Sequence, residues 1–320
     1  MGSTVTRLDS DSLETTGISS PSAPQNRHDL ESWSLDLWIF GSTLASCIIL
    51  DSIRFSSRMT PAMTRLVILY GMGGLSDVGR HAVQVAVEKR LKGEVEGIIK
   101  VLTPYPELLD EPNWNCGCTE EHKFTEEEKK LFDLVHVKDW SDKSLISHFK
   151  DATAVISCVG NRQPTFMGVK PDSWCSLEGN QLVISAMKEH SIQRAVVCSS
   201  MGINEDWPPA EFHWAGKAMS LIFTVFARKA YRDLADMENA YRASDLDYLL
   251  VRPVGIGEDF VPENEWHLQT EKHKDTDLHM EIAKLDVARY MVQEVLAPTR
   301  HKDAVVIGGI KKDRPKPEKK

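Results

Sequence analysis

Apolar runs of strand length, separated by amphipathic stretches, recur along the chain from about residue 64. "RLVILYG" is followed by "VGRHAVQVAVEKRL", in which Val78, Ala82, Val85 and Ala86 return at helical spacing. "VEGIIKVL", "DLVHV", "ATAVISCVG", "RAVVCSS" and "DYLLVRPVG" are further strand candidates. Between them "DKSLISHF", "GNQLVISAMKEH" and "FARKAYRDLADMENAYRAS" predict helices. Strands without polar alternation are covered on both faces, so the pattern predicts a parallel sheet wrapped by helices. The expected fold class is a doubly wound α/β domain over residues 63–310.

The flanks read differently. Residues 1 to about 30 are rich in Ser, Thr, Pro and Asn and predict disorder. The 14-residue run "LWIFGSTLASCIIL", residues 37–50, is short for a membrane span and follows Asp and Glu, unlike a secretory signal. Three readings stay open for it: a helix in contact with a membrane surface, part of an organelle-targeting leader, or a helix packed on the main domain. Residues 1–62 are therefore set apart as a leader. Residues 104–130 interrupt the strand and helix rhythm as an inserted acidic loop, in which Thr125 would cap a short helix starting "TEEE". The tail at 311–320, "KKDRPKPEKK", is basic and reads as solvated chain.

Composition narrows the function classes. The 320 residues carry a formal net charge of -9, so no general positive field exists to attract a polyanion and nucleic acid is not an expected partner. The six cysteines are scattered, and three lie in or beside apolar runs, as reduced thiols of an intracellular protein do, cytoplasmic or organellar. Cys116, Cys118 and His122 in "CGCTEEH" are three soft ligands, but no second pair stands at metal-site spacing. An exposed loop is the preferred reading there, and no metal is assigned.

The strongest chemical signal is the turn after the first strand. Gly71, Gly73 and Gly74 cluster between an apolar strand and an amphipathic helix, and Gly79 stands at the start of that helix. Such a turn brings backbone N–H groups and a helix N-terminus against a pyrophosphate. The strict Gly-x-Gly-x-x-Gly spacing fails because position 76 is Ser, and the looser form fails because position 77 is Asp. Asp77 would repel phosphate, and Arg80 is placed to offset it.

These marks, in this order, resemble the atypical short-chain dehydrogenase/reductases with an NAD(P)H-binding domain, the group that includes the biliverdin reductase B-like and NmrA-like proteins. The resemblance runs from about residue 64 to 309 and implies a Rossmann-like fold. It rests on the glycine turn, "VKDWSDKSLISHFKDATAVISCVGNRQP", "RAVVCSSMG", "DLADMENAYRASDLDYLLVRPVGI" and "IAKLDVARYMVQEVL". Carried over by position, it implies that Asp139 binds the adenine amino group. Gly160, Asn161 and Arg162 would line the adenosine and phosphate side, Ser199 and Ser200 the nicotinamide end, and Pro253 with Val254 the nicotinamide amide. Residue chemistry alone leaves another reading open: Asp139 caps the next turn, and the serines satisfy strand-end backbone groups.

Two departures from the family shape the expected activity. Tyr231 is followed four positions on by Ala235 rather than Lys, so the Tyr-x-x-x-Lys proton relay is missing. Neither Arg nor an acid stands at the usual place after the second strand, and Arg80 is the candidate 2′-phosphate ligand, which favours NADP over NAD. The resemblance then implies an NAD(P)H-dependent oxidoreductase. Ser200 would be its catalytic residue, and hydride would pass to an easily reduced small molecule such as a flavin, quinone or tetrapyrrole. The alternative it implies is a dinucleotide-binding redox sensor or assembly factor without turnover. Trp207, Phe212, His213 and Trp214 lie where a substrate lid would be, with core or partner packing as the other reading.

Overall fold

The computed structural model describes residues 65–69, 78–111, 122–160, 175–203, 221, 228–257, 266–269 and 281–309. The leader with its apolar run at 37–50, the glycine turn, the aromatic stretch at 207–214 and the basic tail lie outside the described residues. Continuous apolar runs become buried strands, as expected, in β1 Leu66–Leu69, β2 Ile99–Thr103, β4 Ala154–Ser157, β5 Arg194–Cys198 and β6 Asp247–Pro253, whereas β3 Phe132–His136 forms at the edge of the sheet with Asp133, Leu134 and His136 exposed. Later come β7 Gly255–Gly257, β8 Trp266–Gln269, β9 Glu281–Ala283 and β10 Asp303–Gly309.

Among the described residues the main sheet has eight strands in the order β3-β2-β1-β4-β5-β6-β10-β8. Seven run parallel, and β8 pairs antiparallel to β10 at the edge. The strand order reverses between β1 and β4, paired from Leu66↔Ala154 to Leu69↔Ser157, which makes their carboxyl ends the crevice of a doubly wound sheet. β7 and β9 form a separate two-stranded parallel pair.

Helices cover both faces. They are α1 Val78–Leu91, the short α2 Glu126–Lys129, α3 Ser176–Glu189, α4 Arg228–Arg242 and α5 Lys284–Leu296. α1 packs on α5, and α3 packs on α4. Alternate strand residues feed two apolar clusters, one holding Ile68, Ile156, Val196 and the helices α1 and α5, the other Val67, Val155, Val197 and residues of α3 and α4. Val78, Ala82, Val85 and Ala86 are all buried, and so are Val83 and Val87, because α1 is enclosed on most sides.

Two segments add detail to the sequence expectation of a helix at "DKSLISHF" and a short helix capped by Thr125. "DKSLISHF" forms a 3-10 helix, Lys143–Phe149, rather than an α-helix. Asp142 caps it by accepting from Ser144 N at 2.9 Å, and the Ser147 hydroxyl takes the Ser144 carbonyl at 2.8 Å. Short runs with such local side-chain bonds favour the tighter helix. The inserted stretch is also more ordered at its ends than an acidic loop implies. Pro106–Leu109 forms a 3-10 turn, Leu108, Leu109 and Phe124 are buried, and Thr125 caps α2 in a reciprocal capping box with Glu128.

α3 is started by another helix. Its own N-cap, Cys175, makes no side-chain capping bond; instead the Asp233 carboxylate of α4 accepts from Ser176 N at 2.9 Å and Leu177 N at 3.1 Å. α3 also approaches β4 closely. A Cβ built on Gly179 would stand 2.7 Å from Val159 Cγ1 and 3.3 Å from Trp140 Cδ2, so glycine is required at that contact. Asn180 then joins the two helices to the sheet: its Oδ1 accepts from Ser157 Oγ at 2.8 Å and Tyr241 OH at 2.9 Å.

Candidate functional site

The carboxyl ends of β1, β4, β5 and β6 define one rim of the sheet, and most of the sequence-predicted site residues that are described fall on it. Gly79 lies in the first turn of α1, which contains no acidic residue. The first four N–H groups of any α-helix lack an intrahelical acceptor and carry its positive end, a chemistry that suits an anion at the start of α1. Gly160 follows β4 and is half-buried. Gly71, Gly73, Gly74, Asp77, Asn161 and Arg162 lie outside the described residues.

The stretch after β5 is stitched to β6. Ser199 N donates to the Val251 carbonyl at 2.7 Å and Met201 N to the Pro253 carbonyl at 3.0 Å, while Val254 N donates to the Ile307 carbonyl of β10 at 3.0 Å. Pro253 and Val254 are buried beside it. The two serines divide their roles. Ser199 is buried and its hydroxyl donates to Glu238 Oε1 at 2.6 Å. Ser200 is half-exposed, and its hydroxyl makes a long 3.3 Å contact with the Met201 carbonyl.

Glu238 of α4 and Arg252 of β6 were not among the sequence-predicted site residues. Arg252 is 1% exposed and Glu238 is 0% exposed. Arg252 Nε donates to Glu238 Oε1 at 2.9 Å, its Nη2 to Oε2, and Arg242 Nη2 stands 3.5 Å from the same oxygen. A paired, hydrogen-bonded buried charge of this kind fixes geometry, because leaving either partner alone in the interior is expensive. A signal for it existed: Arg252 interrupts the apolar "YLLVRPV", and a charge inside a both-face-covered strand demands a partner.

Arg80 and Asp139 both have partners within the protein. Arg80 is 4% exposed and its guanidinium joins the two ends of the inserted stretch. Nε donates to the Leu108 carbonyl at 3.3 Å, and Nη2 to the Glu111 and His122 carbonyls at 2.6 and 3.2 Å. The same group lies 5.1 Å above the Phe124 ring. Asp139 is exposed three residues past β3, where it accepts from Ser141 N at 2.9 Å in a local turn. That backbone bond holds its carboxyl below the ordinary carboxylate value.

Burial pushes Tyr241, Tyr248 and Tyr290 all upward. Tyr231 sits half-exposed on α4, with Ala235 buried one turn on.

The donor set fits the phosphate end of a dinucleotide through the acid-free first turn of α1, with the serine-bearing end of β5 two strands away. Solved structures share this architecture. A short-chain dehydrogenase/reductase from Veillonella parvula, in complex with NADP, is 13% identical with a TM-score of 0.51, covering 77% of this chain and 94% of that one. A candidate NAD-dependent epimerase/dehydratase from Bacillus halodurans is 17% identical, TM-score 0.52, covering 77% and 94%. An oxidoreductase from Lactococcus lactis is 13% identical, TM-score 0.50, covering 77% and 91%. At these identities the likeness carries the Rossmann fold alone. No curated protein matches the chain by sequence. No helix among the described residues is long and apolar enough to cross a membrane. A family model described as NAD(P)H-binding matches residues 119–298, from the inserted stretch through α5 and so over both the serine-bearing end of β5 and the Glu238–Arg252 pair; the chain belongs to this NAD(P)H-binding family.

Proposed function

We propose that the protein is an NAD(P)H-dependent reductase that passes hydride to an easily reduced planar acceptor, a flavin, quinone or tetrapyrrole. The observation that carries this reading is the division between the two serines. Glu238 holds Ser199 inward, and Ser200, only partly buried beside the carboxyl end of β5, keeps its hydroxyl on a long contact with the Met201 carbonyl. The dinucleotide supplies the hydride when bound. In this reading α1 holds its phosphates, Gly160 gives room along its length, and Pro253 and Val254 wall the nicotinamide side. Ser200 orients the ring or the acceptor with its hydroxyl. Ala235, where a lysine would complete a Tyr-x-x-x-Lys relay with Tyr231, favours an acceptor that takes its proton from water over an alcohol or ketone needing an enzyme acid.

The reading includes little discrimination between NADPH and NADH, because the Arg80 guanidinium is engaged by Leu108, Glu111 and His122 rather than turned to a 2′-phosphate. Steady-state reduction of a flavin, a quinone and a linear tetrapyrrole, with each cofactor in turn, tests the proposal. Ser200→Ala is expected to lower kcat about tenfold, the equivalent of one hydrogen bond in the transition state, with cofactor Kd nearly unchanged. Tight cofactor binding with no acceptor reduced would replace it by a sensor role. No binding of either cofactor would end both.

A further inference from the structure

Two cysteines stand side by side on this rim, outside every role given above. β4 and β5 are paired in parallel from Ala154↔Arg194 to Ser157↔Val197, so the next position on each strand sets Cys158 opposite Cys198. Ile156 and Val196, two residues earlier, belong to the same apolar cluster as Cys158, and Cys198 packs against that cluster. The two side chains therefore leave the sheet on the same face. Neighbouring strands run about 4.7–4.9 Å apart, within the Cα separation of about 4.4–6.8 Å that a disulfide spans. Both thiols are free.

We propose that Cys158 and Cys198 form a cross-strand dithiol that a hydroperoxide oxidises to an intramolecular disulfide. Exposure assigns the order of events. Cys198 is partly buried and the more exposed of the two, and meets the oxidant; Cys158 is 7% exposed and resolves. The Cys158 thiol lies within hydrogen-bonding reach of the Cys198 sulfur, and this contact, with burial, pushes its titration upward, so Cys158 keeps its proton until the second step.

In the first step Cys198 gives its proton to water, and its sulfur attacks the terminal oxygen of the hydroperoxide. The O–O bond breaks, the alkoxide takes a proton and leaves as the alcohol, and Cys198 becomes a sulfenic acid. The Cys158 sulfur then attacks the Cys198 sulfur; the S–S bond forms and hydroxide departs with the Cys158 proton as water. Two thiols lose two electrons and two protons, and the peroxide is reduced to alcohol and water.

The test uses the full 320-residue chain, with its six cysteines, and hydrogen peroxide as the probe. Free thiols are expected to fall from six to four, and digestion without reduction should yield one peptide pair linked through Cys158 and Cys198. In Cys158→Ser the reaction is expected to stop at Cys198 sulfenic acid, captured by dimedone. Should that variant fail to fold, phenylarsine oxide on the unmodified protein replaces it, and is expected to shield these two cysteines alone from alkylation. A dimedone adduct on Cys198 of the unmodified protein without the linked peptide would overturn the proposal. So would a linkage through any other pair, or an arsenical that shields neither cysteine.

Discussion

His81 makes stability depend on pH in a way that can be worked through. It lies on α1 with 0% exposure, at the face where α5 packs. Burial is the main cause that lowers its pKa from 6.5 to about 3; the nearby positive charges of Arg80 and Lys284 add to it, and a hydrogen bond with Gln84 works the other way. The imidazole is thus neutral in the folded protein at every pH above about 3, whereas in the unfolded chain it takes up a proton below 6.5. The unfolded state binds more protons throughout that window, so stability falls as pH drops from 6.5 toward 3 and is level above it. Between pH 7 and pH 4.5 the loss from this one group is about 2.5 kcal/mol. With a urea dependence of about 2–3 kcal/mol per molar, the unfolding midpoint moves by about 1 M. Urea titrations at pH 7, 6, 5 and 4.5, run in parallel on His81→Gln, isolate the term: the variant should lose about 2.5 kcal/mol less across the range. Identical pH slopes for the two proteins would show that His81 is protonated or solvated in the fold and would refute the reasoning.

Removing one side of the buried pair, Glu238→Ala, is expected to cost about 3–5 kcal/mol because the Arg252 guanidinium then stays buried without its carboxylate; thermal unfolding should fall by about 10 °C, and a change under 2 °C would contradict it. Gly179→Ala should destabilise by about 1–3 kcal/mol in urea, since its new methyl meets Val159 Cγ1 at 2.7 Å. Arg80→Met removes the bonds to the Leu108, Glu111 and His122 carbonyls, so proteolysis within residues 104–130 should accelerate while the ratio of NADPH to NADH affinity moves less than about threefold; a selective loss of NADPH binding would return Arg80 to the 2′-phosphate.

The strands buried on both faces were legible because enclosure removes polar alternation: β1, β4, β5 and β6 are readable from their own residues. β10 carries the same signal in "AVVIGG", but its place between β6 and an antiparallel β8 depends on pairing across the chain, and "WHLQ" has no periodicity to announce an edge strand. Of the residues the sequence singled out, Gly160 follows β4 and Ser199 and Ser200 follow β5. The split between Ser199 and Ser200 was not legible, since it depends on Glu238 arriving from α4, 39 positions away. The backbone partners of Arg80 were hidden for a related reason. Its position at the head of α1 suggested a phosphate ligand, and its partners come from residues 28 to 42 positions downstream, a distance over which periodicity is silent.

The Asp233 carboxylate gives α3 and α4 a shared fate. Because the first amides of α3 are held by a side chain one helix away, α3 has no starting signal of its own while α4 is melted. Amide hydrogen exchange should therefore find the two helices opening together, with one common free energy and one common denaturant dependence. Asp233→Ala should uncouple them, so that the amides of Ser176 and Leu177 lose protection well before the middle of α4 does.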